Sequence, residues 1–407
     1  MGNLTIKLVD DTPSKKGLRF RETSFRVGTG QTYTMKPALV PNFLRKPTRD
    51  RIKKEDLLEN VVMLRLDDLR NIIDNDPVQQ RNFIQKQMKV DKYENLSLNI
   101  IILLVREDQK VLDDDIRHLT NIFTLYSYRT LSFVPLIYHY EIKNITRKIK
   151  GIPQEVPRKD RTTPIDIASY LSFTKEFLKQ AKEFGHVDEM GLTLPTNLPL
   201  ERGNDLLELY KDFATPIVIS DAHGQEQLGF LPQVREIENS PGKYSLKEKH
   251  GENYAFYGFD SLKSKITRNA GEITGAKNVG ELLYRFSSFG HTYTTPKITI
   301  KRPPNEPPIR PEPRIYLAEE LGYAKKGYKK AQAQIEEWIS KNFKDYEEGK
   351  SYSHYVRDYE NIGLIRSFDN MRTEVKEGDL DKYIESSAFQ KDVGTMLSRI
   401  KYTQDTL

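Results

Sequence analysis

The feature that most constrains this chain is a repeated alternation of strand-length apolar runs with helical patterns, from about residue 33 to residue 300. The clearest runs are residues 96–105, 131–140, 187–194, 215–220 and 254–259. The best helical pattern lies between two of them, with Pro164 at its first position and Gly185 after its last. Such alternation predicts parallel strands joined by helical crossovers. Seven or eight units over this length favour a closed (β/α) barrel of the TIM type.

Both ends of the chain depart from this alternation. Alternating Leu4, Ile6 and Leu8 predict an N-terminal β-hairpin over residues 4–27, as a lid on one end of the barrel. Six prolines in residues 301–314 predict a stiff linker. We therefore expect a barrel with its lid in residues 1–300, the linker in 301–314, and a basic helical extension in 315–407.

The extension begins with a heptad-like pattern. Apolar residues recur four and three apart from Leu317 to Trp338, which predicts a helix with an apolar seam. Two interpretations of the seam stay open at this point. Either it packs on the barrel, or it joins two copies of the chain into a homo-oligomer.

Composition excludes several classes of protein. The chain has no cysteine, which rules out disulfides, thiolate nucleophiles and cysteine-ligated zinc. It has no apolar run of about 18 residues, so we expect no membrane helix. The N-terminus lacks a basic segment followed by an apolar one, so the expected compartment is the cytoplasm. The net charge of +6 fits either a nucleic-acid partner or ordinary solubility.

Polar residues follow most of the predicted strands. In a parallel barrel the active site lies at the carboxyl ends of the strands, so these residues are candidates for chemistry. They are Asp67, Asp68, Arg106, Glu107, His139, Glu141, Thr196, Asn197, Asp221, His223, Asp260 and Lys263. A ring of carboxylates and imidazoles suits acid–base or metal chemistry, although each residue alone is typical of any loop.

The segment 257–261, Tyr-Gly-Phe-Asp-Ser, with Arg268 downstream, resembles the late barrel motif of the tRNA-guanine transglycosylase superfamily, especially its archaeal and DNA-modifying branches. The resemblance implies base exchange without a cofactor, with Asp260 attacking the ribose carbon. It also implies an aspartate acid/base after an early strand. Asp67 is the positional match, with Asp68 beside it, but the family's serine and glycine are absent there. The alternative role for Asp260 is a helix cap.

A second segment supports a rival interpretation. Residues 217–224, Ile-Val-Ile-Ser-Asp-Ala-His-Gly, resemble the late metal-binding motif of the polymerase-and-histidinol-phosphatase hydrolases. That resemblance implies a divalent metal bound by Asp221 and His223. The family's opening His-x-His pair is missing from this chain. The alternative role for Asp221 is a helix N-cap.

Three basic segments are candidates for phosphate contacts, namely residues 45–54, 143–161 and 323–330. In the last, lysines alternate with Tyr323 and Tyr328, as in a phosphate-and-stacking surface. The residues that we predict to bind the nucleic acid are Lys263, Arg268, His139, Glu141, Asn197, Lys325 and Lys329. The alternative is that these segments are solvated surface. The third functional hypothesis is a non-catalytic structural or nucleic-acid-binding protein, such as a viral component.

Overall fold

The computed structural model describes most of the chain, with gaps. The described residues are 4–13, 19–27, 30–40, 52–53, 55–73, 78–79, 82, 98–106, 112–125, 130–149, 152–162, 167–185, 190–195, 198, 200–222, 231–239, 244–261, 272–284, 286–290, 297–298, 314–325, 327–343, 352–391, 394 and 398.

The N-terminal segment forms a small antiparallel sheet. Its strands are β1 (Leu4–Pro13), β2 (Arg19–Val27) and β3 (Thr32–Thr34), in the order β1-β2-β3. Leu4 and Ile6 are buried while Thr5 between them is exposed, as the alternating pattern predicts. The predicted N-terminal hairpin is therefore confirmed, with β3 as an additional third strand.

The centre of the fold is a curled sheet of mostly parallel strands. The remaining strands before the C-terminal region are β4 (Leu57–Arg65), β5 (Leu98–Arg106), β6 (Thr130–Phe133), β7 (Leu136–Ile149), β8 (Ile152–Thr162), β9 (Met190–Pro195), β10 (Ile217–Asp221), β11 (Ala255–Phe259), β12 (Ile273–Gly275), β13 (Ser288–Phe289) and β14 (Lys297–Ile298). Parallel neighbours run in the order β4-β5-β6-β9-β10-β11-β13. β7 pairs with β5 in parallel and with β8 antiparallel, and β14 pairs with β8 antiparallel.

Helices pack on one face of this sheet. They are α1 (Leu66–Ile73), α2 (Asp113–Leu125), α3 (Ile167–Glu183), α4 (Leu200–Leu209), α5 (Leu231–Asn239) and α6 (Leu246–His250). A further short helix, α7 (Lys277–Gly280), runs into a 3-10 turn, Glu281–Leu283, and its Val279 packs in a separate buried cluster with Phe20 and Phe368. The strand residue Val218 and the helix residues Phe177 and Leu206 belong to one buried cluster. Ile219 and Tyr257 belong to another cluster on the opposite face. Burial on both faces explains why these strands read as continuous apolar runs.

The N-terminal sheet covers the amino end of the parallel strands. Leu4 and Phe25 share the second cluster with Leu57 and Ala255, the first residues of β4 and β11. The Leu8 amide donates a hydrogen bond of 3.1 Å to Asn253, just before β11. The opposite, carboxyl end of the sheet is therefore the end that the N-terminal sheet leaves uncovered.

The structure shows a mixed α/β fold with a curled parallel sheet. It does not show the closed barrel that the sequence predicts. In the described part of the chain, no strand ladder joins β13 to β4. Single hydrogen bonds do reach both strands from residues 35–40. The Ala38 amide donates to Phe289 O at 3.0 Å, and the Leu39 amide donates to Leu57 O at 2.8 Å.

The C-terminal region combines a second small sheet with helices. Its elements are β15 (Ile315–Leu317), β16 (Gly322–Ala324), α8 (Lys329–Asn342), α9 (Tyr352–Glu377) and α10 (Leu380–Ser386). β12, β16 and β15 form an antiparallel sheet. Contacts join this region to the N-terminal sheet, because the Phe20 and Phe368 rings lie 5.6 Å apart and Arg372 Nε lies 2.8 Å from Glu22 Oε2.

The prediction of one heptad helix from residue 317 to residue 338 is wrong over its first part. Leu317 ends a strand, and Leu321 lies in the turn before β16 with a left-handed φ of 43°. In the helical part, Ala331 and Ile335 are fully buried in the chain's own core. The buried residues of the seam thus pack within the chain, while Tyr328 and Trp338 are partly buried against the same cluster. Among the described helices, none is long and apolar enough to cross a membrane. The proline-rich segment lies outside the described residues, apart from Arg314.

Candidate active site at the carboxyl edge of the parallel sheet

Two fully buried aspartates lie at the carboxyl ends of neighbouring strands. Asp221 ends β10 and is the register partner of Phe259, the residue before Asp260. The Ala222 amide donates to Phe259 O at 2.9 Å, which ties the two strand ends together. Both Asp221 and Asp260 are 0% exposed. Since paired strands lie about 4.8 Å apart, the two sequence-predicted motifs meet at one place.

Asp260 has an unusual backbone. Its φ is 53°, and among the described non-glycine residues only Leu321 shares a positive φ. Aspartate tolerates this left-handed conformation better than most residues, but it still costs free energy. Such conformations persist where the surroundings over-determine them, and they are enriched at active sites. Full burial of a carboxyl group adds a further desolvation cost, so this turn is held in place by its neighbours.

Glu281 is one of those neighbours, and sequence reasoning missed it. It begins the 3-10 turn after α7 and is 2% exposed. Its carboxyl group occupies the space that a side chain on Gly258 would need, since a Cβ there would overlap Oε2. Ser261, the residue after Asp260, hydrogen-bonds to this carboxyl group. Burial raises the pKa of Glu281 well above its usual range, and the Ser261 hydrogen bond opposes this only in part.

Glu59 is a second buried carboxyl group that sequence reasoning missed. It lies in β4 at 0% exposure and accepts a hydrogen bond from the Tyr257 hydroxyl. A Cβ on Gly290 would overlap its carboxyl oxygens. The Gly290 amide donates to Gly258 O at 2.9 Å. Gly258 and Gly290 are therefore neighbours, and each leaves room for one buried glutamate.

The predicted acid/base residues lie at the end of another strand. Asp67 and Asp68 occupy the first turn of α1, directly after β4. Negative charge is stabilised at that end of a helix. Asp67 Oδ2 lies 3.3 Å from the guanidinium of Arg65, and its side chain is 44% exposed. Both residues are thus more accessible to solvent than Asp260.

A ribbon of β7 and β8, which the short β14 joins at Arg158 and Lys159, leaves the sheet at the same edge. β7 runs parallel to β5 until Tyr138 pairs with Arg106, where β5 ends. Beyond that point β7 pairs only with β8 among the described strands, from His139 opposite Thr162 to Ile149 opposite Ile152. The ribbon is about 35 Å long at the usual rise per residue. His139 and Glu141, two predicted substrate-binding residues, lie in its first part.

The structure describes only some of the remaining predicted residues. Lys325 follows β16, and its amide donates to Glu272 O at 2.8 Å. Lys329 is exposed at the start of α8. The predicted stacking surface is wrong at Tyr323, because that side chain is 2% exposed and its hydroxyl donates to Glu360 at 2.9 Å. Four predicted residues lie outside the described part of the chain, namely Asn197, His223, Lys263 and Arg268.

The described residues do not contain a ready metal site. No three His, Asp or Glu side chains among them are grouped closely enough to hold an ion. Asp221 is the only member of the predicted metal pair that the structure describes. Comparison of the chain with protein-family models and with curated proteins finds no match.

Proposed function

We propose that this protein exchanges a nucleobase in tRNA or DNA, with Asp260 as the nucleophile. The observation that carries the proposal is a fully buried aspartate with a left-handed backbone at the carboxyl end of β11. Active sites of parallel α/β sheets lie at this end. The resemblance of residues 257–261 to the transglycosylase motif supports the same assignment.

The chemistry follows from the carboxylate. One Asp260 oxygen attacks C1′ of the ribose, so that a C1′–O bond forms while the glycosidic C1′–N bond breaks. The leaving base carries away the electron pair of that bond and receives a proton from the acid/base residue, Asp67, with Asp68 beside it. The glycosyl ester then reacts with an incoming base by the reverse steps. A carboxylate also stabilises the oxocarbenium-like transition state between these species.

We also propose that the curled sheet is closed into a barrel by residues 35–40. Hydrogen bonds from this segment to Phe289 and Leu57 support the closure. Leu39 also forms an isolated parallel bridge with Leu58. In a closed barrel the carboxyl ends of β4 and β11 face one mouth, which is what an Asp67–Asp260 pair requires.

The basic ribbon is the proposed contact with the nucleic acid. Residues 143–161 carry seven Lys or Arg against Glu155 and Asp160. The ribbon leaves the sheet at the edge where Asp260 lies, so its charge is available to phosphates next to the reacting nucleotide. Lys263, Arg268, Asn197, Lys325 and Lys329 remain further proposed contacts.

Base exchange is tested by incorporation of a labelled nucleobase into tRNA and into duplex DNA. The wild-type protein is expected to incorporate label into one of the two. The Asp260→Asn variant should incorporate none. Asp205→Asn is the matched control, because Asp205 is an exposed helix residue paired with Arg202 and should not affect the rate. Equal activity of wild type and Asp260→Asn would overturn the assignment of the nucleophile.

A metal-dependent hydrolase is the second candidate, because Asp221 is equally buried at the same edge. In that case Asp221 and His223 would supply ligands to a divalent metal, which would activate water. Metal analysis of the purified protein, with activity assays in added Mn²⁺ and Zn²⁺, distinguishes the two. Base exchange proceeds without added metal, whereas the hydrolase requires it.

A further inference from the structure

We propose that Glu281 is a positioning residue that supports the Asp260 turn as an uncharged carboxylic acid. This inference rests on the proposed function, because it concerns the same nucleophile. Glu281 contacts β11 from the face opposite to Tyr257. Its two contacts are with Gly258, in the strand before Asp260, and with Ser261, directly after it, so its role is to hold the turn.

The contact with Gly258 shows how closely Glu281 fits. The backbone of β11 leaves space at this position only because Gly258 has no side chain, and the Glu281 carboxyl group fills that space. A glycine inside a strand often marks such a close approach. The contact fixes β11 at Gly258, two residues before Asp260 and one residue before the strand ends.

The contact with Ser261 fixes the other side of the turn. Ser261 is 1% exposed, and its hydroxyl hydrogen-bonds to the Glu281 carboxyl group. The two contacts bracket the residue with φ of 53°, so that its left-handed conformation is held from both directions. Loss of the carboxyl group would release Gly258 and Ser261 together.

The surroundings of the carboxyl group favour its uncharged form. Glu281 Oε2 is buried and has no hydrogen-bond partner among the described residues. Among the described residues, the interactions that shift the pKa of Glu281 are burial and the Ser261 hydrogen bond, with no charged group of that part of the chain among them. A buried carboxylate without a cation or several donors is strongly disfavoured, so the proton stays on. An uncharged amide of the same shape should therefore replace it.

The test compares Glu281→Gln with Glu281→Ala in single-turnover formation of the covalent nucleic-acid adduct. Glu281→Gln should form adduct at close to the wild-type rate. Glu281→Ala should be slower by about 100-fold, as expected when a reacting group is misplaced by roughly 1 Å. The dissociation constant for nucleic acid should be unchanged in both variants, which separates positioning from a loss of folding or of binding.

The packing claim has an independent test in thermal unfolding. Gly258→Ala should lower the midpoint in the wild-type background, because the methyl group collides with the Glu281 carboxyl group. It should lower the midpoint much less in the Glu281→Ala background, where that space is empty. An equal effect in both backgrounds would overturn the contact.

The outcomes separate this inference from the proposed function. If the wild-type protein forms no adduct with tRNA or DNA, the proposed function fails and the positioning role fails with it. If the wild-type protein forms adduct and Glu281→Gln is as slow as Glu281→Ala, the nucleophile stands but the uncharged positioning role is wrong. If Glu281→Ala reacts like the wild type, Glu281 does not position Asp260 at all.

Discussion

Gly290→Ala tests the packing of the buried Glu59 carboxyl group against Gly290. The added methyl group would overlap the carboxyl oxygens of Glu59, which is fully buried in β4. Glu59 cannot move aside without weakening the hydrogen bond that it accepts from Tyr257. The substitution should therefore affect stability through two separate terms.

The size of the effect follows from those terms. Overpacking a well-packed core costs about 1–3 kcal/mol. Leaving a buried hydroxyl or carboxyl group without its partner costs about 1–3 kcal/mol more. We expect Gly290→Ala to lower the free energy of unfolding by about 2–6 kcal/mol, a large part of the roughly 5–15 kcal/mol that a folded protein has.

Urea denaturation followed by far-UV circular dichroism measures this difference. Gly203→Ala is the matched control, because Gly203 lies inside α4 and an added Cβ there has no neighbour within 4 Å. The control should gain about 0.5–1 kcal/mol, since alanine favours the helix. If Gly290→Ala is as stable as the wild-type protein, the assigned contact between Gly290 and Glu59 is wrong.

Three further predictions concern charge. Lys143 and Arg158 are register partners in the ribbon, and replacing both by Ala should weaken nucleic-acid binding in fluorescence anisotropy. The slope of log K against log salt concentration should become shallower by about 0.9 for each phosphate contact that is lost. Burial raises the pKa of Glu281 above its ordinary 4.5, so the folded chain keeps a proton that the unfolded chain releases as pH rises. In urea denaturation above about pH 4.5, the wild-type protein should therefore lose stability relative to Glu281→Gln, by at most about 1.4 kcal/mol per pH unit. If the two free energies of unfolding differ by the same amount at every pH, this prediction is wrong. Arg372→Ala should cost about 1–3 kcal/mol in the same assay, because Glu22 is 2% exposed and would lose its guanidinium partner, which is itself 39% exposed.

The sequence predicts the parts of the fold that depend on local pattern. The apolar runs at 215–220 and 254–259 predict strands, and the structure has strands of the parallel sheet at 217–221 and 255–259. The ribbon of β7 and β8 was not predicted, because its charged residues read as a solvated segment. The heptad spacing from Leu317 fails because residues 318–321 make a turn between β15 and β16, in which Leu321 has a left-handed φ of 43°.

The candidate site was predictable only in part. Asp221 and Asp260 were found because each directly follows a recognisable strand. Glu59 and Glu281 could not be predicted from the sequence. Each is buried against a glycine on a different segment of the chain, Gly290 for Glu59 and Gly258 for Glu281, and local pattern does not show such contacts. A signal was present in Gly258, since a glycine inside an apolar strand indicates close approach of another group. The sequence alone could not say which group approaches it.

The role of Asp260 as the nucleophile is best tested by locating the covalent adduct on the protein. Wild-type protein is incubated with tRNA or duplex DNA, denatured, digested with nuclease and trypsin, and examined by mass spectrometry. We expect a glycosyl adduct on the peptide that contains Asp260, and we expect this adduct to be absent in Asp260→Asn. An adduct on any other residue, or no adduct under conditions where base exchange proceeds, would contradict this role of Asp260.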